Sequence, residues 1–284
     1  MKPAPFVHHM PKTLDEALAI LAKVAPQDGR ILAGGQSLVP IMAFRMARPA
    51  HLVDINEVAG LDKLVAETGK LVIGARIRHA AFHKPVVDGP LGALLASVVK
   101  HIAHYPIRTR GTFCGSLAHA DPASEWCLVA VTLDAEFIAT STRETRTIAA
   151  RDFFVGIMST ALSDDELLVE TRLPLLPDGT KFGFNEFSRR AGDFAMASAL
   201  AVYRVEAGKI TDARIGVGGA EPNPRRIPEA ETVLSGKTPG DDAFRAAAEA
   251  AAQAVDPLED IQTTSEYRRD LVRAVVRRAL EASA

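Results

Sequence analysis

The stretch "ILAGGQSLVP", residues 31–40, runs three apolar residues into a double glycine, then Gln36, Ser37 and a second apolar run. This pattern predicts a short buried strand followed by a helix, with Gly34 and Gly35 at the turn between them. Two readings of the glycines stand open. They let the backbone turn sharply, or their missing Cβ atoms let something large approach the chain closely. Under the second reading, the amides of Gly34, Gly35 and Gln36, the Ser37 hydroxyl and the start of the next helix supply donors to an anion such as a pyrophosphate. The stretch is neither a G-x-G-x-x-G fingerprint nor a Walker A loop, whose lysine is missing.

Upstream, Thr13-Leu14-Asp15-Glu16 has capping-box spacing, and Ala17, Leu18, Leu21 and Val24 recur at helical intervals. Pro26 and Gly29 end that helix before the strand "RILA". Downstream, residues 36–46 read as a helix and "HLVDI", 51–55, as a second strand. This strand–helix–strand unit predicts a small parallel sheet in a first lobe, residues 1–57.

From Leu61 the texture changes. "KLVIGARIRH", 70–79, reads as a strand and 91–103 as a helix with Leu94, Leu95, Val98 and Val99 inward. An irregular segment is expected over 104–125, followed by an apolar helix from Pro122 to Leu133. "AEFIATST", "RETRTIAA" and "ELLVETRLP" read as strands, completing a second lobe, 58–177. The turn chemistry of "LLPDGTKFG", 175–183, marks a boundary. A third unit, 178–284, then carries three antiparallel strands and helices at 227–235, 241–254 and 265–282. The last helix is expected to turn Leu271, Val275, Val276 and Leu280 inward and Arg268, Arg269, Arg277 and Arg278 mostly outward.

With 284 residues, 48% hydrophobic and 24% charged, the composition is that of a globular protein with more than one lobe. A formal charge of −2 gives no electrostatic footprint for nucleic acid or an anionic membrane. No apolar run reaches the roughly 20 residues that span a bilayer. The N-terminus has no signal-peptide core, which makes a cytoplasmic location the expectation. Two cysteines, Cys114 and Cys127, are too few for a disulfide framework, a four-cysteine zinc site or an iron–sulfur cluster.

"GTFCGSLAHADPASE", 111–125, is a second candidate loop, with Gly111, Thr112, Gly115 and Ser116 as small or hydroxyl residues. Asp121 and Glu125 beside Pro122 either favour a helix start through its dipole or accept from sugar hydroxyls. His101, His104 and His119 flank this loop without completing a metal set. Ser37 and Ser116 are not nucleophile elbows, and no base lies next to Cys114 in sequence. "GVGGAEPNPRR", 216–226, reads as a strand-to-helix connection. The two loops together say more than either alone, because one dinucleotide is long enough to need both.

The stretches 31–56 and 108–136 resemble the FAD-binding medium subunit of molybdenum hydroxylases. That group includes aerobic carbon monoxide dehydrogenase, 4-hydroxybenzoyl-CoA reductase, bacterial aromatic and N-heterocycle dehydrogenases, and the middle part of xanthine dehydrogenase. The similarity continues through "RDFFVGIMSTALSDDELLVETRLP", "FSRRAGDFAMASA" and "GVGGAEPNPRRIPEAETVLSGK". The resemblance implies an α+β chain. Two lobes form a vanillyl-alcohol-oxidase-type (PCMH-type) FAD-binding fold. A C-terminal domain of the CO dehydrogenase flavoprotein type follows, with a three-stranded antiparallel sheet and a helical bundle.

By the same resemblance, Ile31, Leu32, Ala33, Gly34, Gly35, Gln36, Ser37 and Leu38 wrap the FAD pyrophosphate. Ile102 and Ala103 lie against the cofactor. Gly111, Thr112, Cys114, Gly115 and Ser116 form a second cradle that Ala118 and His119 continue. Ser124 and Glu125 meet polar groups towards the ribose and adenine. Leu162 packs on the ring system, and Asp193 and Phe194 border the isoalloxazine. Many members have two glycines where this chain has Cys114-Gly115, and a lysine before the first loop where it has Arg30. The flavin carries the redox chemistry, so no catalytic side chain is assigned and no metal is expected on this chain. The molybdenum cofactor would sit in a large partner subunit and the 2Fe-2S clusters in a small one, assembled as a dimer of heterotrimers. Two other readings are a free-standing FAD oxidoreductase on the same fold, and a scaffold subunit that has lost FAD.

Overall fold

In the computed structural model, which describes residues 2–283, a parallel sheet forms first, as expected, but with a third strand. β1 (Val7–His9) precedes the helix α1 (Leu14–Val24); β2 (Gly29–Leu32), α2 (Leu38–Ala43) and β3 (His51–Asp54) follow. β3 lies between β1 and β2 and runs parallel to both. The capping box is formed: the Glu16 amide donates to Thr13 Oγ1 at 3.2 Å and the Thr13 amide to the Glu16 carboxylate at 3.3 Å. Ala17, Leu18, Leu21 and Val24 of α1 are buried, and the helix packs on β2 and β3. α2 is shorter than its sequence pattern predicts. It stops at Ala43 and the chain enters the left-handed region at Arg45, φ 58°.

The second sheet has the order β4 (Leu64–Glu67), β5 (Lys70–Gly74), β10 (Leu167–Pro174), β6 (Glu136–Thr140), β7 (Thr145–Ala149), with every neighbouring pair antiparallel. Between its strands run α3 (Pro90–Val98), α4 (Tyr105–Arg108), α5 (Phe113–His119) and α6 (Glu125–Thr132). Then come β6 (Glu136–Thr140), β7 (Thr145–Ala149), α7 (Ala150–Phe153), the small hairpin β8 (Phe154–Gly156) and β9 (Ser159–Thr160), and β10 (Leu167–Pro174). Several expectations need correcting here. The strand over 70–79 ends at Gly74, and the helix over 91–103 ends at Val98. The supposedly irregular stretch 104–125 holds α4 and α5. The helix expected from Pro122 begins at Glu125, with Ser124 as its N-cap.

The C-terminal sheet has four strands rather than three: β11 (Lys181–Phe187), β12 (Ala197–Glu206), β13 (Lys209–Gly218) and the two-residue β14 (Arg225–Arg226). α8 (Pro228–Leu234), α9 (Asp241–Ala254) and α10 (Ser265–Ser283) follow it. α10 packs on β11 and β12 and on α9, burying Leu271, Val275, Val276 and Leu280 as expected. Arg268, expected outside, is instead buried. Its guanidinium donates to Asp260 Oδ2 at 2.6 Å and to the Leu258 carbonyl at 2.9 Å. Two hydrophobic cores result. One runs continuously from α1 through α6 to β10 and reaches Leu200 and Val202 of β12, while the other lies between the C-terminal sheet and α8–α10.

Candidate cofactor cleft

Beyond β2 the chain leaves the sheet and lines a cleft of about 290 Å³. Residues 30–38 form one wall. Gly111, Thr112, Gly115, Ser116, Ala118 and His119 form the other, and His79 closes the side. The double glycine divides its labour. Gly35 takes φ 72°, so it makes the sharp turn. Gly34 makes the close approach, and what approaches it is this chain's own second loop. A Cβ on Gly34 would lie 2.3 Å from the Arg110 carbonyl oxygen and 2.6 Å from Gly111 Cα, inside any tolerable contact.

Asn56 and Arg78 hold the two loops in this position. Asn56 Nδ2 donates to the Ala33 carbonyl at 2.8 Å, while the Arg78 guanidinium donates both to Asn56 Oδ1 and to the Arg110 carbonyl. Neither residue was singled out by sequence reasoning, because each acts across a long sequence separation. The only local hint was Asn56 at the end of a strand.

The donors in the cleft differ between its walls. Among the described residues, the amides of Gly34, Gly35, Gln36 and Ser37 have no hydrogen-bond partner within the chain, nor does the Ser37 hydroxyl. Across the cleft, the amides of Gly111, Phe113, Gly115 and Ser116 are taken by Ile107, Ile77, Thr112 Oγ1 and the Thr112 carbonyl. That leaves the Thr112 amide and the Ser116 hydroxyl open on the groove; the Cys114 amide is also unpaired, but residue 114 is buried and does not line it. A run of unpaired donors facing a groove is an arrangement for oxygen-rich anions. It does not rest on helix dipoles, since α2 and α5 have only 6 and 7 residues.

Cys114 fits this arrangement because its side chain points the other way. The sulfur is buried, 3.5 Å from the Ile73 carbonyl and 3.4 Å from Thr171 Oγ1, and burial raises its thiol to about 12. No side chain at residue 114 presses into the groove. His79 is the residue that sequence reading missed altogether. It is 3% exposed, its Nδ1 accepts from Trp126 Nε1 at 2.9 Å, and its backbone amide donates to the Gly111 carbonyl at 3.0 Å. Burial, with Arg108 and Arg78 adding to it, lowers its imidazole to about 3, so the ring is neutral. Gly111 must be glycine against it, as a Cβ there would sit 2.6 Å from His79 Nε2.

The other expected site residues lie outside this groove. Ile102 is buried in the main core, and Arg108 Nη1 donates to the Ile102 and Ala103 carbonyls at 2.9 and 3.3 Å, fixing a turn in which Ala103 takes φ 41°. Ser124 is buried at the start of α6. Burial, reinforced by Glu186, raises the adjacent Glu125 carboxyl to about 8. Leu162 packs partly buried against the core. Asp193 and Phe194 line a separate cavity of about 390 Å³ with Arg189, Arg190, Gly192, Met196 and Gln262. This cavity adjoins the 102–104 turn, since Gly192 packs on the His104 ring. Phe194 is 73% exposed there. No group of three or more His, Cys, Asp or Glu side chains suited to a metal occurs among the described residues, and none of their helices is long and apolar enough to cross a membrane.

Comparison with known proteins shows the family of the chain. Residues 4–176 match the family described as the FAD binding domain in molybdopterin dehydrogenase, and residues 182–283 match the CO dehydrogenase flavoprotein C-terminal domain. The nicotine 6-hydroxylase medium subunit of Paenarthrobacter nicotinovorans is 39% identical over 95% of this chain and 94% of its own length. The carbon monoxide dehydrogenase structure from Hydrogenophaga pseudoflava superposes with a TM-score of 0.95 at 35% identity, covering 100% of this chain and 98% of the other. Quinoline 2-oxidoreductase from Pseudomonas putida 86 gives 0.92 at 33% identity, covering 100% and 98%. The resemblance first carried by the two glycine loops thus extends over the whole chain, which belongs to the family of FAD-binding medium subunits of molybdenum-containing dehydrogenases and hydroxylases.

Proposed function

We propose that this chain is the FAD-carrying electron-transfer subunit of a heteromeric molybdenum hydroxylase. It would accept electrons from 2Fe-2S clusters in a small subunit and pass them to an external acceptor, while a large subunit holds the molybdenum cofactor. The observation that carries this reading is the row of four unpaired amides at Gly34, Gly35, Gln36 and Ser37, facing open donors at Thr112 and Ser116 across one groove. Those groups suit the pyrophosphate of FAD, which when bound supplies the two-electron chemistry. Ile31, Leu32, Ala33 and Leu38 line the same wall, and Ala118 and His119 extend the opposite one.

Ser124 and Glu125 serve the ribose side in this reading, and Ile102, Ala103 and Leu162 pack on the cofactor. Asp193 and Phe194 border the flavin ring from the adjoining cavity. The division at 1–57, 58–177 and 178–284, the cytoplasmic location and the dimer of heterotrimers are parts of the same proposal. A relative in Paenarthrobacter nicotinovorans is named as one subunit of a dehydrogenase complex, which favours partners over a free-standing flavoenzyme. Cys114 was the one residue pointing to a lost cofactor, and its sulfur lies in the core.

The test is to purify the chain from its native source with whatever accompanies it and to assay flavin, molybdenum and iron. The expected result is about one FAD per copy of this chain, with molybdenum and iron on separate polypeptides. A complex that contains metal cofactors and no flavin would overturn the proposal.

A further inference from the structure

His79 is a polar side chain buried in a cleft wall with only half of its hydrogen-bonding capacity used. Trp126 Nε1 has only a proton to give, so the 2.9 Å contact makes His79 Nδ1 the acceptor. A neutral imidazole that accepts at Nδ1 carries its proton on Nε2. Among the described residues that Nε2–H has no partner within the chain, although the ring lines the groove beside Gly111. The tautomer is therefore set from behind by an indole, and a single fixed donor is left at the groove.

From this geometry we infer that His79 is a cofactor-binding residue, a neutral donor whose Nε2–H bonds to a phosphate oxygen of the dinucleotide held between the two glycine loops. The inference rests on the placement of the FAD pyrophosphate in that groove. The phosphates carry the formal charge of such a ligand. The neighbouring guanidinium groups of Arg78 and Arg108, which oppose protonation of the imidazole, favour an anion at the same place. A neutral donor locked in one tautomer also makes the contact insensitive to pH across the range in which a free histidine titrates. Gly111 belongs to the same device, because any side chain there would displace the ring.

The full-length chain, freed of flavin and titrated with FAD by fluorescence quenching, tests this directly. His79→Leu is expected to weaken binding roughly 10- to 100-fold, the effect of losing a hydrogen bond to a charged group. His79→Gln, whose side-chain amide can donate from near the Nε2 position, should recover a substantial part of that loss. In nitrogen-15-labelled wild-type chain, the Nε2-bound proton absent from His79→Gln should move downfield on FAD loading. The phosphorus-31 resonances of bound FAD should differ between wild type and His79→Gln. Binding by His79→Leu at wild-type affinity, or an Nε2 proton unmoved by FAD, would overturn the inference while leaving the cofactor site intact. Weakened binding with unchanged phosphorus resonances would overturn phosphate as the acceptor. Failure of the wild-type chain to take up FAD would instead remove the site reading on which it rests.

Discussion

Gly34 and Gly35 are adjacent in sequence and do different physical work, so substitutions at the two should separate. A Cβ at Gly34 meets backbone atoms of Arg110 and Gly111, which cannot rotate away. Gly34→Ala must therefore push the loops apart. It is expected to cost roughly 1–3 kcal/mol of stability and to lower FAD occupancy markedly. Gly35→Asn keeps a residue that tolerates the left-handed region, and its Cβ meets only side-chain atoms of Val39 and Leu32 at 3.2 and 3.3 Å. Its effect should stay near 1 kcal/mol, with most of the flavin retained. Denaturant midpoints and flavin-to-protein ratios on both variants check this, and equal damage from the two would contradict it. The pattern "AGG" made a special backbone legible, but not which glycine met which neighbour, because Arg110 is far along the chain. A second residue-scale prediction concerns pH. Folding raises Glu125 to about 8 and lowers His79 to about 3. The Glu125 contribution is present below its unfolded value, near 4.5, and is lost as pH rises towards 8. The His79 contribution is present above 6.5 and is lost as pH falls towards 3. Glu125→Gln should thus gain on the order of 1–3 kcal/mol over wild type at pH 8 and nothing at pH 4.5. Urea titrations at those two pH values measure it, and a pH-independent difference would contradict it.

Among the elements, those with a periodic apolar face were readable and those of a few residues were not. α1 announced itself through Thr13, Glu16 and four inward residues at helical spacing. β1, β8, β9 and β14 have only two or three residues each, too few to show alternation, and their pairing depends on partners brought up by the fold. α4 and α5 were hidden for a related reason, since glycines and a proline in a short stretch look like loop. α10 gives the opposite lesson. Its apolar stripe was legible, but Arg268 looked like one more solvated arginine. It is buried because the 256–264 segment folds over it, and the Asp260 carboxylate receives its guanidinium. Backbone amides of Gln262 and Thr263 and Arg268 itself hold Asp260 down at about 2. Arg268→Met keeps the apolar stem and removes the donors. It should destabilise the chain by about 1.5–3 kcal/mol at pH 7, because Asp260 and the Leu258 carbonyl lose their charged partner. The sign with pH follows from the depressed carboxyl: the pair's contribution is full above pH 3.8 and disappears as pH falls towards 2. Thermal melts at neutral and strongly acidic pH should show the gap between variant and wild type closing, and a constant gap would contradict it.

At the scale of the molecule, the way the residues after Pro177 are joined to the rest was not legible in the sequence. The larger part of the join is made by α6, which packs on β12, β13 and β14, while α3 packs on β11. It works because β13 presents glycine there: a Cβ on Gly216 would lie 1.9 Å from Thr132 Oγ1 and 2.8 Å from Leu128 Cδ1. Leu200 and Val202 of β12 continue the main core across the same junction. Apolar side chains shared by both parts couple their unfolding, since neither part can open without exposing surface of the other. The chain has a single tryptophan, and Trp126 is fully buried in α6 against Phe82 and Phe113, at ring-centroid distances of 5.3 and 4.8 Å. Its fluorescence therefore reports the flavin-binding part, while far-ultraviolet circular dichroism also reads α8–α10 in the C-terminal part. In wild type without flavin the two signals should give coincident denaturant transitions. Gly216→Val forces α6 away from β13 and should split them, with part of the dichroism lost at lower denaturant than the fluorescence. Thr132→Ala in the same background removes the nearest clashing atom and should restore part of the coincidence. Split transitions in wild type would show that the shared core does not couple the two parts, and coincident ones in Gly216→Val would show that α6 is not the joint.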